Sequence, residues 1–195
     1  MDAFTKAIAA IDEANACDPN ELIAGERRGP KELVHAAMMT EWVERLAPEA
    51  SPALRLAARA HHLRRWEMPR SSYAEGRHAY LRWREDLHRF HARELQALLA
   101  GAGLDAATSE RAAQLVAKRA PRGDAEAQVL EDALCLVFLE TQFAGLATKL
   151  DPAKLPDVVR KTWRKMSPPG QAAAVALPMP AHDRDILLAA LGDEA

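Results

Sequence analysis

The clearest chemical signal in the sequence is a pair of adjacent histidines, His61 and His62, near the end of an alanine- and leucine-rich stretch. Imidazole nitrogens bind transition metals and transfer protons near neutral pH. Apolar residues recur three to seven positions before His61, so a helix over 54–65 turns His61 toward the core. His62 then points about 100° away, toward Arg55 and Arg59 at the rim. Two ordinary histidines, one packed and one solvated, are the simpler alternative.

A third histidine lies on the helix that precedes the pair. His35 shares an apolar stripe with Met39, Trp42 and Leu46, so it is expected to point inward. Pro30 is expected to begin this helix, because a proline at the first helical position loses no hydrogen bond. The turn that follows is short, and helices joined in this way pack antiparallel. His35 and His61 should therefore face one shared core.

A carboxylate that could join these histidines stands directly before the most apolar stretch of the chain. Residues 133–139 are apolar on every side, which is typical of a central helix, and Asp132 stands directly before them. A buried carboxylate is costly unless a cation compensates it. His35, one or other of the paired histidines and Asp132 would together suit one divalent ion: manganese, iron, zinc or nickel. The open alternative is a buried Asp132 paired with Arg64 or Arg65, with the histidines merely packed.

Basic and aromatic residues follow the histidine pair in two clusters. Arginine binds phosphate or carboxylate with two parallel hydrogen bonds, and aromatic faces stack on rings. The sequence therefore predicts a small anionic substrate, phosphorylated or nucleotide-like. The candidate substrate-binding residues are Arg64, Arg65, Trp66, Arg70, Tyr80, Arg82, Trp83 and Arg84. Glu67, Glu131 or Glu140 is the candidate general base, or the group that orients a ligand histidine. In the alternative interpretation, Arg82 and Arg84 lie on a solvated face of their helix. Trp66 and Trp83 then fill the core.

Composition restricts the remaining possibilities. The chain has 195 residues, of which 49% are hydrophobic and 28% charged, and its net charge is -2. We predict one all-α domain over residues 1–195, a helical bundle, because helix formers dominate. Two cysteines and the absence of a signal-peptide pattern favour the cytoplasm. No apolar run reaches the roughly 18 residues of a membrane span, and balanced charges disfavour nucleic acid as a partner. The oligomeric state is left open.

Helical periodicity and stop signals give the expected elements. Residues 21–30 are expected to form a polar loop. Asp124 is expected to cap the central helix. His78, His88, His91 and His182 are interpreted as surface or packing residues. His88 and His91 share a helix face and could bind metal, but no neighbouring residue supports such a site. Helices are predicted over residues 3–16, 30–46, 54–65, 75–99, 108–120, 124–140, 153–166 and 183–191.

The order of these side chains resembles the HD-domain superfamily of metal-dependent phosphohydrolases. That all-helical superfamily uses a histidine, a His-Asp doublet and a later aspartate around one or two divalent metals. By this resemblance, His35 matches the first histidine, His61 the second and Asp132 the final aspartate. His62 stands where the aspartate of the doublet is expected. A bridging carboxylate is therefore missing, which favours one metal over two.

A closer resemblance covers almost the whole chain. It rests on long runs over residues 11–20, 61–73, 80–84, 130–140 and 161–167. These runs resemble the family known as domain of unknown function 4202. The resemblance implies a cytosolic all-α protein, with members in bacteria and fungi, and assigns no established activity.

These observations support three hypotheses of function. The first is an HD-like metal-dependent hydrolase that acts on a small phosphorylated or nucleotide-type substrate. The second is a non-catalytic helical module whose arginine–tryptophan surface binds a protein or RNA partner. The third is an HD-like iron oxygenase. The presence or absence of a bound metal separates the second from the other two.

Overall fold

The computed structural model describes residues 1–143, 145 and 154–191, and helices dominate them. The prediction of an all-α protein is confirmed, with one small hairpin added. The described elements are α1 (Ala3–Ala16), β1 (Glu21–Ala24), β2 (Arg27–Pro30), α2 (Lys31–Leu46), α3 (Pro52–Arg59), two 3-10 turns (Arg65–Glu67 and Arg70–Ser72), α4 (Arg77–Ala102), α5 (Ala106–Val116), α6 (Ala125–Thr141), α7 (Leu155–Trp163), α8 (Pro168–Val175) and α9 (Ala181–Leu191).

The chain forms two compact units, Met1–Leu130 and Glu131–Ala195, and the boundary falls inside α6. In the first unit, α3 packs against α2 and α5, while α4 packs against α1 and α5. Fully buried apolar side chains such as Ile11, Met39 and Leu63 fill this core. The single-domain interpretation of residues 1–195 stays a prediction.

Residues 21–30 form an antiparallel hairpin, so the prediction of a loop there is wrong. The strands pair from Glu21 with Pro30 to Ala24 with Arg27. Their two-residue connection begins with Gly25 at φ +60°, a conformation that glycine adopts without steric cost. The sequence suggested a loop because strands this short show too few alternations to be recognised. The hairpin ends at Pro30, and α2 begins at the next residue, Lys31.

The helix before the histidine pair ends earlier than its periodicity predicts. α3 stops at Arg59, and the chain continues through turns instead of reaching Arg65 as a helix. Arg64 adopts a left-handed conformation with φ +52°. Its backbone N–H donates to Oδ1 of the buried Asn15 at 3.2 Å. The prediction that His62 points toward the rim near Arg59 is therefore wrong, because the 100° rotation per residue applies only within a helix.

Asn15→Ala should destabilise the turn that carries the histidine pair. The substitution leaves the Arg64 N–H without its acceptor in a conformation that already costs a non-glycine residue free energy. We expect the free energy of unfolding to fall by about 1–2 kcal/mol. Urea denaturation of the metal-free protein measures this change. Wild-type stability in Asn15→Ala would show that the bond does not hold the turn.

The second unit contains the C-terminal part of α6 together with α7, α8 and α9. The apolar run of α6 over residues 133–139 has no exposed member, which confirms the prediction of a buried helix. α7 packs against α9. The predicted helix start near residue 152 lies outside the described residues, and the predicted helix over 153–166 is seen as α7.

None of the helices in the described part of the chain combines the length and apolar character needed to cross a bilayer. The cytoplasmic location stays a prediction.

Candidate metal centre

Three side chains of the first unit can meet at one point. Glu32, His35 and His62 each offer a ligand atom, and these atoms all lie within 4.8 Å of one another. Glu32 and His35 occupy successive turns of α2, three residues apart, so both side chains project from one face of the helix. His62 enters from the turn after α3, where its Nδ1 lies 3.2 Å from Oε2 of Glu32. The group contains two imidazoles and one carboxylate.

The start of α2 is held by the segment that follows α1. The buried Asp18 accepts a hydrogen bond from the Glu32 N–H at 3.0 Å and another from the Asn20 N–H at 2.9 Å. The Asn20 carbonyl oxygen accepts from the Lys31 N–H at 2.8 Å. These bonds satisfy backbone donors that a helix start otherwise leaves unpaired. Glu32 therefore projects from an anchored helix end.

Four imidazole rings gather beside this carboxylate. The His35 and His62 ring centroids are 4.1 Å apart, and the His61 and His62 centroids are 4.9 Å apart. The His35 and His61 centroids are separated by 6.3 Å. The ring of His91, on α4, lies beyond them, with its centroid 6.1 Å from the His62 centroid. The structure thus brings together the three histidines predicted from the sequence and adds a fourth.

Several nitrogens of this cluster are buried without a hydrogen-bond partner among the described residues. They include both ring nitrogens of His35, Nδ1 of His61 and Nε2 of His91. Buried polar atoms are ordinarily paired, and each unpaired one is costly. A bound cation would provide a partner for the lone pairs of such unpaired nitrogen atoms.

Burial keeps these imidazoles neutral. It lowers the pKa of His35 to about 3, and the positive charge of Arg65 lowers it further. The pKa of His91 is also lowered to about 3, mainly by burial. Burial, reinforced by neighbouring charges, lowers the pKa values of His61 and His62 well below the ordinary value. Neutral imidazole is the form that binds metal ions, so the cluster is ready to act as a ligand set.

Burial shifts the pKa of the Glu32 carboxyl group in the opposite direction, upward. Burial raises its pKa to about 7, although the charges of Arg65 and Lys31 oppose this shift. A carboxylate that is 3% exposed needs a cation or hydrogen-bond donors to remain ionised. Glu32 is therefore the strongest candidate for an acidic ligand among the described residues of the first unit.

A small cavity of about 190 Å³ adjoins the carboxylate. Glu32 lines it, so one residue belongs both to the cavity and to the candidate metal group. Lys31, Arg65 and Arg70 bring positive charge, and the wall includes two tryptophans. The described residues lining the cavity are Asn20, Lys31, Glu32, Arg65, Trp66, Met68, Pro69, Arg70 and Trp83. Its size suits a small anionic group.

Four of the predicted substrate-binding residues line this cavity, namely Arg65, Trp66, Arg70 and Trp83. Arg65 lies over the Trp83 ring, 5.2 Å from its centroid. Arg70 donates to the Tyr73 and Ala74 carbonyl oxygens. Trp83 is also core filling, because it packs with Leu87 and Phe90. The core interpretation of this tryptophan is confirmed, and its role in substrate binding stays a prediction.

The other predicted substrate-binding residues do not line the cavity in the described part of the chain. The Arg64 guanidinium group lies 3.5 Å from a carboxylate oxygen of Glu94 and 3.9 Å from a carboxylate oxygen of Glu67. The candidate base Glu67 is therefore in an ion pair. The exposed Arg82 side chain faces Asp86 at 4.0 Å. Tyr80 is exposed and contacts the Trp83 ring. Arg84 is partly exposed.

Asp132 and Glu131 belong to the second unit, where their described partners also lie. Asp132 is buried, and its carboxylate accepts hydrogen bonds from the Ser167 N–H, at 2.8 Å, and from the Ser167 hydroxyl. Ser167 caps α8, and its hydroxyl accepts from the Gly170 N–H. Glu131 lies 3.7 Å from the Lys165 ammonium. The roles of Asp132 as a metal ligand and of Glu131 as a base stay predictions.

Gly170→Ala should disturb this carboxylate. A Cβ at position 170 would lie 2.7 Å from Cγ of Asp132, which is too close for two carbons. We expect the substitution to lower the free energy of unfolding by about 1–3 kcal/mol. Gly101→Ala is the matched control, because a Cβ there, in the last turn of α4, meets no atom within 4 Å. That control should keep or raise stability. Equal stabilities of the two variants would contradict the close packing at Gly170.

Sequence reasoning missed several residues of this centre. Glu32 could have been found, because a glutamate three residues before an inward histidine shares its helix face. His91, interpreted as a surface or packing residue, is buried beside the predicted histidines. Asp18 was not among the predicted site residues. Lys31 carried no signal beyond its charge.

Fold and site together define an all-α protein with a group of two histidines and one carboxylate, of which Glu32 and His35 are buried, beside a basic, aromatic cavity. The family model described as domain of unknown function (DUF4202) matches residues 5–187, so the chain belongs to this family. The resemblance to domain of unknown function 4202 that the sequence indicated is thereby confirmed. No curated protein and no solved structure matches the chain significantly.

Proposed function

We propose that this protein is a metal-dependent hydrolase of small phosphorylated molecules, with one divalent ion bound by Glu32, His35 and His62. The observation that carries the proposal is the convergence of their ligand atoms within 4.8 Å. The HD-like arrangement suggested by the sequence is part of this proposal, with Glu32 supplying the carboxylate that the histidine pair lacks. Asp132 remains a candidate for a further ligand.

The donor set fits such an ion. Imidazole and carboxylate suit zinc, iron, manganese or nickel. His35 has two buried nitrogens without a hydrogen-bond partner, and the Glu32 carboxyl group is buried with a raised pKa. A positive ion would satisfy the nitrogen lone pairs and favour the ionised carboxylate. When bound, it would supply Lewis acidity and lower the pKa of a coordinated water.

The residues of the cavity would bind and orient the substrate. Lys31, Arg65 and Arg70 line the cavity together with Glu32, so an anionic substrate would be drawn to the candidate metal centre. Arginine can donate two parallel hydrogen bonds to a phosphoryl group. The cavity is smaller than the roughly 300–1,000 Å³ of typical ligand pockets. It therefore suits a phosphoryl group better than a complete nucleotide.

The test is release of inorganic phosphate by the full chain, loaded separately with zinc, iron, manganese and nickel. The probes are p-nitrophenyl phosphate and a set of nucleoside 5′-monophosphates. We expect turnover of at least one probe that stops when a chelator removes the ion. Absence of turnover in every metal-loaded form, although metal is bound, would contradict the hydrolase proposal.

Arg65→Met should weaken substrate binding. Arg65 lines the cavity, and its loss removes a charged hydrogen-bond donor worth about 1.5–3 kcal/mol. We expect KM for the cleaved probe to rise by roughly 10- to 100-fold. Arg82→Met is the matched control, because Arg82 is exposed and does not line the described cavity. Equal KM values in the two variants would remove Arg65 from the substrate site.

A second candidate function has its own support. Two histidines and one carboxylate are also the ligand set of non-haem iron oxygenases. The oxygenase hypothesis from the sequence therefore remains a proposal, and oxygen uptake by the iron-loaded protein tests it. The binding-module hypothesis requires a protein whose stability does not change when metal is added or chelated.

A further inference from the structure

We propose that the cavity beside the candidate metal centre selects the doubly charged, terminal phosphoryl group of a phosphate monoester over the singly charged group of a phosphodiester. This inference rests on the hydrolase function proposed above and narrows its substrate class. It depends on the charges that line the cavity and on the way in which Arg65 is held there.

The wall of the cavity carries an excess of positive charge. Lys31, Arg65 and Arg70 line it, and Glu32 is the one acidic residue among its described lining residues. Three cationic side chains and one carboxylate give this wall a formal charge of +2 when all are ionised. Among the residues that the structure describes, no carboxylate forms an ion pair with Lys31 or Arg65. The Arg70 guanidinium donates to two backbone carbonyl oxygens, which orient it without neutralising its charge.

Arg65 is oriented before any substrate binds. Its guanidinium carbon lies 5.2 Å from the centroid of the Trp83 ring, in a cation–π contact. The ring is itself fixed, because its indole N–H donates to the Met68 carbonyl oxygen at 3.0 Å. It also packs against Leu87 and Phe90. A guanidinium that stacks on an aromatic face keeps the N–H donors at its edge available. Because little side-chain freedom is then lost on binding, such an arginine is a favourable anion ligand.

A phosphate monoester and a phosphodiester differ in both charge and shape. A monoester carries nearly two negative charges near neutral pH, whereas a diester carries one. Because Coulomb attraction grows with the charge of the ligand, the positive wall stabilises the monoester more. Its three terminal oxygens can accept two parallel hydrogen bonds from Arg65 and one from Lys31. A diester has only two such oxygens, and it must also place two substituents, instead of one, around a cavity of about 190 Å³.

The test measures binding of two ligands that contain no ester bond for a hydrolase to cleave. Benzylphosphonate is a dianion in mildly alkaline buffer, and benzyl(methyl)phosphinate, in which a methyl group replaces one oxygen, is a monoanion of nearly the same shape. Each is titrated into the zinc-loaded full chain by calorimetry. We expect the phosphonate to bind at least about 10-fold more tightly, because its additional oxygen accepts a further charged hydrogen bond.

Lys31→Met separates the effect of the wall from that of the metal ion. Lys31 is exposed, so the loss of its charge should not disturb folding. The doubly charged ligand loses more attraction than the singly charged one, so we expect the ratio of the two affinities to fall by about 3- to 10-fold. Lys6→Met, on the exposed side of α1, is the matched control and should leave the ratio unchanged.

Equal affinities for the two ligands in the wild-type protein would overturn the inference, and so would a ratio that does not change in Lys31→Met. Turnover of p-nitrophenyl phosphate together with equal affinities would leave the hydrolase function intact. A clear preference for the phosphonate in a protein that cleaves no probe would support the selectivity of the cavity and contradict the hydrolase function.

Discussion

His35→Leu should make the metal-free protein more stable and abolish its metal binding. Leucine has a similar volume, and it removes two buried nitrogens that have no hydrogen-bond partner among the described residues. Each such atom costs about 1–3 kcal/mol, so we expect the free energy of unfolding to rise by roughly 1–3 kcal/mol. Loss of a ligand should reduce activity with any cleaved substrate below detection. Urea denaturation in a chelator and Zn²⁺ titration measure the two effects.

The opposite signs of these two effects separate a ligand from a packing residue. A packed histidine replaced by leucine would change stability without affecting metal binding. Glu32→Gln provides a second variant, because glutamine keeps the shape of Glu32 but not its charge. Its matched control is Glu44→Gln on the exposed side of α2. Metal affinity should fall in Glu32→Gln alone, and equal affinities in both variants would contradict the proposed ligand set.

The metal-free protein should lose stability steeply as the pH falls below about 6.5. Burial lowers the pKa values of His35, His61, His62 and His91, so these groups gain protons only on unfolding. Glu32 opposes this effect between about pH 7 and 4.5, because its pKa is raised in the folded state. Near pH 5.5, unfolding should take up roughly three protons, or about 4 kcal/mol per pH unit.

Urea denaturation in a chelator, repeated from pH 7.5 to pH 5, measures this slope. His35→Leu is also the control here, because it removes one of the four imidazoles whose pKa values are lowered. Its slope should be smaller by about one proton, or about 1.4 kcal/mol per pH unit. A free energy of unfolding that does not change with pH over this range would show that the histidines are solvated in the folded protein.

Features of the fold that depend on residues close in the sequence were predicted correctly. The bounds of α1 follow from signals within a few residues, since Asp2 caps its start and Pro19 follows its end. The inward direction of His35 follows from the helical repeat of its apolar neighbours. Such features are encoded in short stretches and are accessible without a structure.

The position of His62 depends on an interaction that the local sequence does not reveal. α3 ends at Arg59 with neither glycine nor proline to mark the stop. The left-handed Arg64 is held by Asn15, which lies 49 residues earlier in the chain. Helical periodicity therefore gave His62 the wrong direction. It also could not show which carboxylate lies beside the histidines, because that depends on how α2 meets the turn after α3.

The most direct test of the account is the metal content of the full chain, prepared without a histidine tag. The protein is loaded with Zn²⁺, dialysed to equilibrium and analysed by mass spectrometry of its metals. We expect one tightly held ion per chain in the wild-type protein, and its loss in His35→Leu. A wild-type protein that retains no more metal than the dialysis buffer would contradict the proposed centre.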